Sequence, residues 1–243
     1  MSAILSSATS TNSSQPVAAP TRLTGLSMAL VVVSFLVCLG ILSSAINWPV
    51  SLDYPASTML PLLVEQRGAV LFGYSLYFLS AVLIIPMALL LQRVLDPQRQ
   101  SVLISIATVF GILAGVVKPF GIIRWLVAMP TLAQAYVDPN ANEASRQTIS
   151  LIFTTLNTYA GALGELLGVA LLGGLWALLI GVALLRLKWD RGILAWTGVL
   201  VGLAALLPIA EIYGINLGPI LTISNAAWYL WVLGFGITLL RQR

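Results

Sequence analysis

Charged residues along this chain are held apart by six long apolar stretches. No residue between 24 and 46 is charged, and further stretches follow at 68–91, 102–129, 163–185, 192–210 and 220–240; of these, 102–129 and 163–185 carry charge inside them. A hydrocarbon layer about 30 Å thick is crossed by about 20 apolar residues as helix. The pattern therefore predicts an all-α fold, a polytopic transmembrane helical bundle of six spans.

The segments between the spans have their own character. Residues 1–21 are rich in Ser, Thr, Ala and Pro, with too little apolar surface to offset the entropy of ordering, and read as a disordered cytoplasmic tail. Residues 22–243 form a single six-helix transmembrane domain. Ser43-Ser44-Ala45 resembles a signal cleavage site, but the apolar run before it is longer than a usual signal core, so the first helix is expected to stay uncleaved. Residues 47–66, with Trp48, Tyr54 and three prolines, are expected along the outer interface. Residues 144–159 are expected to lead as helix straight into the fourth span. From residue 145 to 185 that is about 60 Å of helix, so its first turns must project outward or bend at Gly161 and Gly164.

Hydrophobic residues make up 59% of the 243 and charged residues 8%, with mean hydropathy +0.98. The net charge of +4 reads as topology, with no nucleic acid partner implied. Arg22, Arg93, Arg99, Arg186, Lys188, Arg191, Arg241 and Arg243 fall on one side of an alternating bundle. The other side holds Arg67 and Arg146 with Asp53, Glu65, Asp138 and Glu143. Cytoplasmic loops are enriched in Lys and Arg, which places both termini in the cytoplasm.

Histidine is absent and Cys38 is the sole cysteine. That removes His-ligated haem, Ser-His-Asp triads, HExxH sites and an intrachain disulfide. The chain also lacks a phosphate loop and paired CxxC. No cofactor and no metal site is expected, and catalytic residues are unknown.

Candidate chemistry rests on ionisable residues at membrane depth, which mark function more often than chance. Counted at about 1.5 Å per residue, Lys118 and Arg124 on the third span, Glu165 on the fourth and Glu211 on the fifth converge on one leaflet. Gly111 and Gly115 form a stripe that Lys118 continues, and Gly161, Gly164 and Gly168 form a second stripe containing Glu165. Matching these faces makes Lys118–Glu165 the expected ion pair, with Arg124 the rival partner by depth. Snorkelling of the cations to the interface is the plain structural alternative. An outer polar pocket between the third, fourth and fifth helices is expected, with Lys118, Arg124, Glu165 and Glu211 around it. Asn157 and Tyr159, at the entry of the fourth span, complete the ligand-binding set.

Arg124-Trp125, Met129-Pro130, Leu132-Ala133 with Tyr136, Tyr159-Ala160-Gly161, Gly164-Glu165, Leu167-Gly168 and Trp176 together resemble a bacterial six-helix membrane family catalogued only as a domain of unknown function. The likeness covers residues 24–240 and is most specific over 115–176. It implies a multi-pass protein of a bacterial plasma membrane and supplies no substrate, cofactor or catalytic residue. Three functions stay open. One is a non-enzymatic bundle binding a small amphiphile, membrane lipid or ion, as a transporter-like or sensory component. Another is a lipid- or peptide-modifying enzyme with Glu165 or Glu211 as general base. The third is a purely structural subunit.

Overall fold

Six helices long and apolar enough to cross a membrane occupy the six apolar stretches. The computed structural model describes residues 18–189, 192–215, 217 and 219–242. The first span is α1 (Ala18–Ile46); a 3-10 turn (Val50–Asp53) and α2 (Ala56–Glu65) connect it to the second, which is α3 (Arg67–Val82) continued by α4 (Ile84–Leu95). The third is α5 (Val102–Leu126), extended by α6 (Ala128–Val137). The fourth runs through α7 (Glu143–Ala162), a π-helix (Leu163–Gly173) and α8 (Gly174–Arg186). The fifth is α9 (Ile193–Leu206) with a 3-10 segment (Leu207–Tyr213), and the sixth is α10 (Ile220–Arg241). Among the described residues there is no strand. Residues 1–17 of the expected tail, and Arg191 and Arg243 of the charge count, lie outside the described residues.

Helix is the form these stretches must take, because hydrocarbon offers no partner for a backbone N–H or C=O and each span has to satisfy its own. Leu30, Phe72, Val109, Leu200 and Leu230 face outward, so the bundle is apolar outside as well as inside. Two spans are interrupted where a proline cannot donate. Pro86 lacks the bond to the Val82 carbonyl and the axis breaks at Leu83; Pro130 lacks the bond to Leu126 and it breaks at Val127. Pro119, in contrast, lies inside an α5 that continues to Leu126.

The fourth span is helical for 44 residues, about 66 Å. Its first turns pack with α2, α5 and α6 into a layer at one end, the first of the two expected arrangements. Arg22, Arg93, Arg99, Arg186, Lys188 and Arg241 belong to the other end. The π-helix is not foreshadowed by the hydropathy pattern.

The glycine stripes pack differently from the expectation. Gly111 and Gly115 do not meet the fourth-span stripe. A Cβ on Gly111 would lie 2.7 Å from Trp176 and 2.8 Å from Ala88, and one on Gly115 would lie 2.6 Å from Ile85. The fourth-span stripe instead meets α5 one to two turns further on. A Cβ on Gly164 would fall 2.9 Å from the Gly121 Cα, and one on Gly168 2.9 Å from the Lys118 backbone nitrogen. The tightest approach joins α8 to α9, where a Cβ on Gly202 would lie 2.4 Å from the Leu178 nitrogen and one on Gly181 2.6 Å from the Val199 nitrogen. Small residues drive helix association in lipid by this route.

These distances separate two kinds of glycine. Gly181→Val and Gly202→Val should each lower the melting temperature in detergent by many degrees, because backbone atoms cannot move aside. Gly40→Ala and Gly234→Ala, where a Cβ meets nothing within 4 Å, should be neutral or stabilising by up to about 1 kcal/mol through helix propensity. Thermal unfolding of the four variants checks the packing. Equal losses would overturn it.

Candidate functional site: a cationic chamber behind an acidic mouth

The turn after the first span builds one wall of the site. Asn47 adopts positive φ (57°), and the Trp48 amide bonds back to the Leu42 carbonyl at 3.3 Å, closing α1 with a left-handed cap. The chain then folds back, so Trp48 is buried and packs edge-on against Phe35 and Tyr77. Asn157 secures the next segment by donating from Nδ2 to the Leu52 carbonyl at 2.9 Å.

Below this wall lies a chamber of about 130 Å³. Lys118, Gly121 and Arg124 of the third span and Gly164, Glu165 and Val169 of the fourth form one side. Phe35 and Leu39 of the first, Tyr74 and Tyr77 of the second, and Leu221, Thr222 and Asn225 of the sixth form the other. The fifth span contributes nothing, which corrects the expected pocket between the third, fourth and fifth helices. Glu211 instead borders a wider vestibule of about 680 Å³, along with Asp53 and Glu165. Pro49, Leu52, Glu165, Leu221 and Thr222 line both spaces, so the chamber adjoins the vestibule.

Each cation has its own arrangement. Lys118 is 4% exposed. Its Nζ donates to the Tyr229 hydroxyl oxygen at 2.8 Å and lies 4.7 Å from the centre of the Tyr77 ring and 5.0 Å from that of Tyr229. The Ser80 hydroxyl donates to the Val31 carbonyl at 2.9 Å, so it is Tyr229 that donates across the 3.4 Å to Ser80. Phe35 stacks on Tyr229 at 3.7 Å and fixes that ring. Among the described residues no carboxylate comes within 4.0 Å of Lys118. Measured from Arg67 to Tyr77 and from Ile220 to Tyr229, it lies about 14–15 Å below the mouth. That is deeper than counting from Val102 implies.

Arg124 is the partner of Glu165. Its Nη2 is 3.6 Å from Glu165 Oε1, and its Nη1 donates to the Gly121 carbonyl at 3.0 Å. The expected Lys118–Glu165 pair is thus replaced by its rival. The reason lies in the glycines: Gly168, one turn beyond Glu165, rests on the Lys118 backbone, while Gly161 leaves room for the Arg124 guanidinium, 3.4 Å from where its Cβ would be. The Arg124 Nε and the Tyr74 hydroxyl are buried without a hydrogen-bond partner.

The other candidate residues stand apart from the chamber. Asn157 shapes the wall through Leu52 without lining it. Tyr159 is 66% exposed and borders neither space. Thr154 and Thr155 donate to the Ser150 and Leu151 carbonyls of their own helix and are exposed. Tyr77, Tyr229 and Asn225 escaped the sequence reading. Only Asn225 had a signal there, as a lone amide inside an apolar span. No group of three or more His, Cys, Asp or Glu comes together to hold a metal among the described residues.

The family model described as Domain of unknown function (DUF4386) matches residues 23–241. The chain belongs to this family. The match takes in all six spans and the whole of the site, and the family description assigns neither a role. No curated protein and no solved structure matches the chain.

The pairing has a direct test in a double-mutant cycle. Glu165 is one-third exposed, so solvent screening reduces its coupling to Arg124 to about 1–3 kcal/mol. Arg124→Gln and Glu165→Gln should each lower stability in detergent, and the double variant should lose less than their sum. Lys118→Met combined with Glu165→Gln should show the weaker coupling of the two cycles, since the two side chains share a cavity wall without an ion pair. Coupling at Lys118 with additivity at Arg124 would reverse the assignment.

Proposed function

We propose that this multi-pass membrane protein binds the anionic group of a small amphiphile in the chamber, with Lys118 and Arg124 as the cationic contacts. The observation that carries the reading is an excess of donors. Lys118 keeps two ammonium hydrogens beyond the one given to Tyr229, the Arg124 Nε and the Tyr74 hydroxyl have no partner, and all three residues line the same cavity. Buried donors without acceptors cost free energy unless something supplies the acceptor. Rings of Phe35, Tyr77 and Trp125 around them suit the apolar part of the same ligand, as binding sites commonly combine apolar walls with few polar groups.

The proposed setting is a bacterial plasma membrane, with both termini cytoplasmic and the chamber opening outward. The arginine-rich end supports this orientation. In a Cys38-free background, cysteines introduced at Gln98 and Ala141 should be labelled by an impermeant maleimide from the inside and the outside respectively; labelling of Gln98 from outside would invert the orientation.

Binding itself is tested by native mass spectrometry of the detergent-purified protein. An amphiphile bearing an acid group should accompany the wild type and fall at least about tenfold in Lys118→Met, consistent with loss of one charged hydrogen bond. Tyr159→Phe, away from the chamber, should leave it unchanged. Equal retention in Lys118→Met would overturn the assignment.

A further inference from the structure

Chamber and vestibule carry opposite charge. Inside, Lys118 and Arg124 face the single carboxylate of Glu165, which leaves one positive charge in excess. Outside, Asp53 and Glu211 join Glu165 around the vestibule. Glu165 belongs to both walls. One of its oxygens is taken by Arg124, and the described residues give the other no hydrogen bond or ion pair. The carboxylates alone would be only a solvated rim. What ties them to a ligand is the pair of unpartnered groups behind them, on Tyr74 and Arg124, residues 1% and 6% exposed.

A purely anionic ligand must pass Asp53 and Glu211, which have no cationic partner among the described residues, to reach the cations, and a purely cationic one has no reason to go beyond them. A molecule with both charges meets an opposite charge at each end. The chamber's size also bears on this. A dry cavity of about 150 Å³ holds one benzene, so 130 Å³ takes an acid group and a few carbons, not a whole phospholipid. The excess of one positive charge suits a singly charged acid group.

We infer that the ligand is a small zwitterion, its acid group and adjoining apolar carbons in the chamber against Lys118 and Arg124, and its ammonium group at the mouth beside Glu165, Asp53 and Glu211. This deepens the anion-binding reading and rests on it. Such chemistry has two sources, a free amino-acid-like zwitterion or an ethanolamine phospholipid head group with its tails outside the chamber.

The test is a matched series on the whole 243-residue chain in maltoside detergent, read by isothermal titration calorimetry. Valine carries both charges, 3-methylbutanoate lacks the ammonium and 2-methylpropylamine lacks the carboxylate. A parallel lipid arm compares dioleoyl phosphatidylethanolamine with dioleoyl phosphatidylglycerol by competitive native mass spectrometry. In at least one arm the zwitterion should bind about tenfold tighter than its singly charged counterparts, and the arm that shows the preference names the source. Glu165→Gln should reduce the zwitterion to the level of the anion. Because that variant also loses the Arg124 pair, Asp53→Asn with Glu211→Gln at the exposed rim provides an independent check and should weaken the preference several-fold. Anions binding as tightly as zwitterions in both arms would overturn the inference while leaving anion binding in place. No binding of any probe in either arm would overturn both.

Discussion

The glycine-on-glycine approach of the third and fourth spans, at Gly121 and Gly164, is the contact on which the site depends. In lipid there is no hydrophobic gain from bringing two apolar helices together, so association comes from dispersion between closely fitted surfaces. With no side chain on either glycine, the backbones meet, and a Cβ on Gly121 would fall 2.6 Å from the Gly164 Cα. This register sets Glu165, next to Gly164, within reach of Arg124, three residues after Gly121. It also seats Gly168 on Lys118 and sends the lysine side chain to the tyrosines of the second and sixth spans. A larger residue at either glycine would separate the walls and the charges together.

The π-helix belongs to the same constraint. π segments are rare, usually a single turn, and often found at functional sites, whereas here the wider repeat covers Leu163–Gly173. Those eleven residues include Glu165 and the glycines that touch α5. An i→i+5 repeat turns each successive side chain by less than an α-helix does, so the residues facing α5 differ from those an α-helical count selects. α7 before it and α8 after it keep ordinary geometry. The change of repeat lets one long helix present Ile149, Phe153 and Leu156 to the end layer, a glycine face to the third span and the Gly174 and Gly181 face to the fifth.

This explains which parts were legible in the sequence. The spans were, since an apolar run of about 20 residues has few alternatives; the breaks before Pro86 and Pro130 were not, because Pro119 lacks the same donor and its helix continues. The grouping of Glu165 and Glu211 toward one end was legible too, because position along a helix fixes rough depth; the depth of Lys118 was not. Pairing was not. Placing Lys118 opposite Glu165 assumed that the two glycine stripes face each other and that the fourth span keeps an α-helical repeat, and neither holds. Gly111 and Gly115 accept Trp176, Ala88 and Ile85, which no rule of spacing reveals. Tyr77 and Tyr229 look like ordinary apolar filling until Lys118 is found between them. Trp48 and Leu52 reach the site only through the left-handed turn at Asn47, a tertiary event with a weak local signal.

A lysine this deep needs an energetic account. Placing Lys near the centre of a membrane helix costs about 3 kcal/mol on the translocation scale. One charge-assisted hydrogen bond to Tyr229 returns about 1.5–3 kcal/mol, and two ring faces return about 0.5–2 kcal/mol each when desolvated. The aromatic cage therefore offsets the cost without a carboxylate. Arginine would be a poor substitute, because its planar fork could not use one hydroxyl and two ring faces at once. Arg124 is suited to its own place, where one nitrogen reaches the Gly121 carbonyl and another reaches Glu165. Neutralising Arg124 through Glu165 while leaving Lys118 to the rings divides the work: the first pair helps hold two spans in register, and the second cation keeps its charge directed at the cavity.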